Sequence, residues 1–422
     1  MKVFTLILFL ATYALMIALP KKRVYVALSS AVIFIIAGIV PLSKVPGAIS
    51  WNVLMMIAGT MVTVGLFIDS KMPVRIADGL LHRSKNVMWV AIYMSLFAGI
   101  ISAFVDNVAT VLMVAPVGIA IAKKLKISPV PMLICISVSS NLQGAATLVG
   151  DTTSIMLGAY AKMDFISFFF LHGKPSIFFA VELGALATIP VMMYLFRNDK
   201  EPVDSDSKKE VDDLGPTVFL LLTVITLIAA SFIKNKPELT NGVICLGYAF
   251  IAIIYSLIRH HSFAQSKRAI KEVDFVTLGL LTGLFIVIDG LSETGIIDSI
   301  SQIFVKVAGS DKFLMYSIIV WGSVLLSAFI DNIPYVATML PVVTMVSKSM
   351  GIEPYLLYFG LLSGATLGGN ITPIGASANI TTLGILHKAG YEVKAKDFMK
   401  ISVPLTLVAI ITGYLFCWFV WA

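Results

Sequence analysis

Three aspartates lie where this chain has least reason to hold a charge. Asp106, Asp331 and Asp151 sit in long stretches built otherwise from aliphatic residues, Gly, Pro, Asn and Thr. A carboxylate within hydrocarbon is costly, and it marks a functional site by default. Ser102 stands four residues before Asp106, and Ser327 four before Asp331, so each pair shares a helix face. Asn107 and Asn332 follow the acids and can both donate and accept hydrogen bonds. Carboxylate, hydroxyl and amide beside a chain break, where backbone carbonyls come free, are the parts of a cation or proton site. The ion-coupling set is therefore Ser102, Asp106, Asn107, Asp151, Ser327, Asp331 and Asn332. Sodium is expected near Ser102, Asp106, Asn107 and Gly144, and again near Ser327, Asp331, Asn332 and Gly369. The competing role is structural: an Asp can cap a short helix and an Asn can close a turn.

A second polar segment accompanies each acid. Asn141, Gly144, Thr147 and Gly150 interrupt one apolar run, and Thr366, Gly369, Asn370, Thr372, Pro373, Gly375 and Asn379 interrupt another. Glycine lets backbone approach a ligand closely, and Pro373 removes a donor. These residues are the substrate-binding candidates.

The two regions are copies. Ser102, Asp106, Asn107, Pro116, Pro129, Gly144, Thr147 and Gly150 recur 225 positions later as Ser327, Asp331, Asn332, Pro341, Pro354, Gly369, Thr372 and Gly375. An internal repeat with polar breaks inside apolar runs points to a secondary transporter. The copies differ at Asp151, which matches Ala376, and at Ala109-Thr110, which match Pro334-Tyr335.

Composition sets the solvent. The chain of 422 residues is 58% hydrophobic and 13% charged, with mean hydropathy +0.94. A soluble domain carries about 25% charged residues, so this is an integral membrane protein. The net charge of +7 is read as Lys and Arg flanking membrane spans, not as a nucleic-acid surface. Cys135, Cys245 and Cys417 have no paired spacing that would indicate zinc or disulfides. No phosphate-binding loop, HExxH or nucleophile elbow is present, so an enzyme is not expected, nor any cofactor beyond a coupling H+ or Na+.

The elements follow. Spans are expected at 3–20, 24–41, 51–69 and 175–196, then at 216–233, 240–258, 274–291 and 401–421. Between them fall hairpins over 86–122 and 313–346 and broken helices over 130–157 and 355–386. The fold class is an all-α membrane protein of two inverted-topology repeats, 1–196 and 215–422. It has about ten crossings, two re-entrant hairpins and two broken helices. A charged cytoplasmic linker, 197–214, joins the halves. With re-entrant hairpins, 22 of the 31 Lys and Arg fall on one side, which the positive-inside rule makes cytoplasmic. The expected location is the cell inner (plasma) membrane with both termini outside the cytoplasm. Glu182, within 175–196, is either a buried proton carrier or a packed, hydrogen-bonded residue.

The segments SAFVDNVATVLMVAP (102–116), ATLVGD (146–151) and NITPIGASAN (370–379) resemble the arsenite permease and NhaD-type sodium–proton antiporter family. Its superfamily also holds divalent anion/sodium symporters, citrate permeases and the pink-eyed-dilution protein. The resemblance implies inverted repeats whose hairpins and broken helices meet near mid-membrane. Symporters of the superfamily carry Ser-Asn-Thr at the hairpin tips, where this chain has Asp106-Asn107 and Asp331-Asn332; an acid there suits a cation or proton. Members of the pink-eyed-dilution type follow the first-half Gly-Asp with two prolines and Asn, whereas Thr152, Thr153 and Ser154 stand here. The expected function is proton- or sodium-coupled transport of a small inorganic solute, with arsenite or antimonite efflux first. Sodium–proton antiport and transport of a carboxylate, sulfate or silicate are the alternatives, and a passive channel comes last. No Lys or Arg is expected at the centre. Beyond lipid and solute, a homodimer and a separate cytoplasmic ATPase are compatible partners; nucleic acid is not.

Single cysteines at Lys124 and Lys208 are expected to react with an impermeant thiol reagent only from the cytoplasm, and one at Lys348 only from outside. Labelling of 124 and 348 from the same side would refute the inverted arrangement.

Overall fold

A computed structural model describes residues 1–124, 127–202, 213–261 and 263–422. Most of the expected linker, 203–212, lies outside the described residues. The first half runs α1 (Lys2–Ala18), α2 (Arg23–Ile36), α3 (Val45–Ala48), α4 (Trp51–Asp69), α5 (Met72–Arg83), α6 (Val87–Ser102), α7 (Asn107–Lys124), α8 (Val130–Gly144), α9 (Thr152–Tyr160) and α10 (Ile177–Leu195). The second runs α11 (Gly215–Ser231), α12 (Thr240–His260), α13 (Ala264–Lys271), α14 (Phe275–Glu293), α15 (Ile296–Ala308), α16 (Lys312–Ser327), α17 (Asn332–Met350), α18 (Tyr355–Gly368), α19 (Ser377–Lys388) and α20 (Ala395–Trp421). One two-stranded turn, Phe170–Leu171 with Lys174–Pro175, departs from an all-helical chain.

The repeat holds to the residue where the chain breaks. α6 and α16 begin and end 225 positions apart, and α7 and α17 begin so. Asn86 caps α6 by accepting from Trp89 N at 3.1 Å, and its counterpart Asp311 caps α16 by accepting from Leu314 N at 3.0 Å. Pro116 and Pro341 lie inside the second arms, and Pro129 and Pro354 start α8 and α18. Packing is exchanged between halves as a two-fold demands. α4 packs on α12 and α14 on α2; α7 meets α19 and α17 meets α9; α10 and α20 pack on each other.

α8 and α18 form the centre. Every residue from Met132 to Gly144, and from Leu356 to Gly368, is buried. A helix apolar on all faces belongs in the interior of a membrane protein. Polar groups on it must find protein partners, since hydrocarbon offers none. The outer helices turn large apolar side chains outward instead, such as Phe250 and Ile258 on α12 and Phe419 on α20.

Span lengths are more varied than the pattern implied. α4, α10, α12, α20 and the run Ala264–Glu293 are each long and apolar enough to cross a membrane. α1 and the following segment to Ile36 form a pair bent by 115° around Pro20. The arms of the hairpins and the broken helices are shorter apolar helices. The basic stretches at 70–85 and 259–272, expected as loops, contain the helices α5 and α13. Their charged residues hid a helical period that was read only for apolar continuity.

Gly59 lies against α12 so closely that a Cβ there would stand 2.4 Å from the carbonyl carbon of Cys245. Gly322 on α16 has open space at the same position. Gly59→Ala is expected to lower stability by about 1–3 kcal/mol through overpacking. Gly322→Ala is expected to be neutral or to raise it by up to about 1 kcal/mol. Thermal unfolding in detergent measures both.

Candidate functional site

Each helical break leaves backbone groups unpaired at depth, and the polar residues at the breaks are placed to meet them. Asp106 precedes α7 and accepts from Val108 N at 3.0 Å and Ala109 N at 3.2 Å. Asp331 precedes α17 and accepts from Ile333 N at 3.1 Å. Thr147 donates its hydroxyl to the carbonyl of Ala103, and Thr372 donates to that of Ala328. Ser154 donates to Gly144 O at 3.3 Å, and its counterpart Asn379 donates to Gly369 O at 3.1 Å. Both copies therefore tie the broken helix to the turn of the hairpin through one threonine, and close the break on itself through Ser154 or Asn379.

Gly150 and Gly375 sit at the tightest points. A Cβ on Gly150 would lie 2.5–2.8 Å from the carbonyl oxygens of Gly144, Ser102 and Ala103. One on Gly375 would lie 2.6–2.8 Å from those of Gly369, Ser327 and Ala328. Three converging carbonyls form an electronegative cradle of the kind that suits a bare cation. Asp151 Cβ and Ser102 Oγ lie beside the first cradle, whereas Ala376 stands beside the second.

An asparagine network joins the halves. Asn107 Nδ2 donates to Asn141 Oδ1 at 2.8 Å. Asn141 Nδ2 crosses to Thr366 O at 2.6 Å and Asn370 Oδ1 at 3.1 Å. Asn370 Nδ2 returns to Val138 O at 3.2 Å, and Ser137 donates to Asn379 Oδ1 at 2.7 Å. Ser327 donates to Ala365 O, and Ser140 links Ser102 Oγ at 3.2 Å to the carbonyl of Asn107 at 3.0 Å.

Asp106 and Asp151, but not Asp331, face a cavity of about 130 Å³. Asp106, Asn107, Gly150, Asp151 and Asn332 line it, with Glu272 and Asp274 from the approach to α14. No Lys or Arg is among its described lining residues. Asp151 is 4% exposed and accepts from Thr153 Oγ1 at 2.9 Å. The remaining candidates — Asn141, Gly144, Thr147, Thr366, Gly369, Asn370, Thr372, Pro373, Gly375 and Asn379 — are not among the lining residues, and most of them are spent on the bonds above.

Sequence reasoning missed one group outright. Arg23, the first residue of α2, donates to Asp331 Oδ2 in an ion pair. The expectation of a centre without a base is thus corrected. The signal was a basic run, Lys21-Lys22-Arg23, read as a flanking loop; the bend at Pro20 brings its last member to a hairpin tip. Ser137, Ser140 and Asn141, spaced i, i+3 and i+4, also shared a legible helix face.

Two repeats of membrane helices, broken at the same places and closed around a polar cavity, define a multi-pass membrane transporter. The chain belongs to the citrate transporter family named CitMHS, whose model matches residues 13–362. It is similar to an uncharacterized transporter of Mycobacterium tuberculosis, 29% identical over 99% of this chain and 98% of that one. The 46 kDa membrane protein of Mycobacterium leprae is likewise 29% identical, with the same coverage. The P protein of Sus scrofa is 26% identical over 88% of this chain and 53% of its own length. The fold is shared with the YdaH transporter of Alcanivorax borkumensis (TM-score 0.61, 13% identity, 89% of this chain and 86% of that one). It is shared equally with MtrF of Neisseria gonorrhoeae (TM-score 0.61, 16% identity, 92% and 84%).

Asn141→Ala removes the side chain that holds both halves together. A hydrogen bond between membrane helices contributes about 1–2 kcal/mol at most. The variant is expected to unfold at a lower temperature by that order, with the loss visible in apo protein before any transport is measured.

Proposed function

We propose that this chain is a cation-coupled secondary transporter of a small carboxylate, with citrate the first to test. The family's description as citrate transporters supports the choice of cargo class. The observation that carries the coupling is the cavity at Asp106 and Asp151, lined by acids and by no base among its described residues. A carboxylate anion meets repulsion there unless its charge is compensated. It would enter as a complex with a divalent cation, in a protonated form, or after sodium has bound. Asp106 and Asp151 receive the coupling cation, with the carbonyls around Gly150 completing its oxygen shell. Asn107 and Asn332 offer amide donors to the cargo. Alternating access then moves the hairpins and broken helices against the outer spans.

The same acid lining favours a second reading, efflux of arsenite or antimonite. Arsenous acid is neutral near pH 7 and meets no repulsion from carboxylates.

Purified protein in liposomes separates these readings. Citrate alone, citrate with magnesium or calcium, arsenite, and sodium alone are offered under imposed sodium and proton gradients. Citrate flux that requires a cation is expected, falling about tenfold or more in Asp106→Asn and Asp151→Asn, a loss of about 1.4 kcal/mol or more. Arsenite flux without citrate flux would replace the cargo, and sodium–proton exchange with neither would make the protein an antiporter.

A further inference from the structure

The two hairpin tips carry the same Asp-Asn pair but balance its charge differently. At the first, Asp106 accepts two backbone N–H groups, from Val108 and Ala109. At the second, Pro334 stands where Ala109 stands in the first copy, and proline has no N–H to give. Asp331 Oδ1 keeps one backbone bond, from Ile333 N, where Asp106 Oδ1 has two, and Asp331 Oδ2 takes the guanidinium of Arg23. The side chains are 23% and 17% exposed, so water screens the pair only in part. The helices on either side of Arg23 are held to the second half. α2 packs on α14, and Tyr13 of the preceding helix donates to Pro334 O at 2.7 Å and contacts the Thr338 hydroxyl. Among the described residues, no ion pair forms at Asp106. α12 packs on α4 as α2 does on α14, and its basic residues Arg259 and His260 lie at its far, C-terminal end. The second acid of the first half, Asp151, is Ala376 in the second. Among the described residues, one tip thus presents two carboxylates and no base, and the other one carboxylate and one base.

We propose that Arg23 is a built-in cation for the second repeat, occupying at Asp331 the place that a dissociable cation takes at Asp106 in the first. A guanidinium neither leaves the chain nor loses its proton in proteins. Asp331 is therefore neutralised throughout the cycle, and the external cation is taken up in the first half alone. This refines the cation-coupled reading above and rests on it.

The test titrates sodium chloride against choline chloride at constant ionic strength and follows thermal unfolding of purified protein. Wild type, Arg23→Gln, Arg23→Lys, Asp331→Asn, the double variant Arg23→Gln/Asp331→Asn, and Asp106→Asn are compared. Arg23→Gln is expected to gain a sodium-dependent rise in midpoint of several degrees beyond the wild-type response. Arg23→Lys should not gain it, and the double variant should lose it again. An Arg23→Gln protein recovered folded only in sodium supports the proposal equally. A sodium response in Arg23→Gln no larger than in wild type, or one that persists in the double variant, would overturn it. If Arg23→Gln folds in neither salt, the double variant decides: an unchanged wild-type response supports the built-in cation, and a diminished one refutes it. Asp106→Asn separates the underlying reading, because a full wild-type response in that variant removes the coupling site while the Arg23 comparison still stands by itself.

Discussion

Backbone broken inside a hydrocarbon layer must be bonded by protein, and this constraint organises the molecule. The chain breaks at 103–106, 145–151, 328–331 and 369–376, each between buried helices. Each opening exposes N–H and C=O groups that water would satisfy elsewhere and lipid cannot. The polar side chains at the breaks answer them in kind. Asp106 and Asp331 take up free N–H groups, and Thr147 and Thr372 take up free carbonyls. Much of what looks like binding chemistry in the sequence is therefore also the structure that keeps the breaks open. A residue such as Asp106 serves both ends: Oδ1 caps a helix, and the carboxylate also borders the cavity.

Near-symmetry makes the departures from it informative. Two copies of one scaffold give two carbonyl cradles, at Gly150 and Gly375. Electrostatics then separates them. A carboxylate in low dielectric requires a compensating positive charge, and a small number of substitutions decides where that charge comes from. Asp151 adds an acid to the first half, while Arg23 pairs with the carboxylate of the second. A transporter gains from this asymmetry, because a cation that can leave and one that cannot have different consequences for a cycle.

The halves are held together at the same depth. Asn141 and Asn370 exchange bonds between α8 and α18, the two helices buried on every side. In water such amides would gain little from pairing with each other. Between helices with no solvent access, an unpaired amide is the costly alternative. The network therefore favours the joined arrangement by penalising its loss.

The sequence by itself determined the medium, the repeat and the places where helices stop. Those features depend on local order: apolar run length, the 225-residue offset, and Pro, Gly and Asp-Asn at fixed positions. Hairpin and break positions were legible to within a few residues because capping and proline effects act over one helical turn. Tertiary structure alone decided which polar residues face a cavity and which hold the frame. Thr147 and Asn141, candidates for a ligand from their residue types, bond the carbonyls of Ala103 and Thr366 in the structure. It alone decided the Arg23–Asp331 pair, which joins residues 308 positions apart around the bend at Pro20. No periodicity encodes such a contact. It follows from how bent helices pack, and packing is set by the summed fit of surfaces that are distant in the chain.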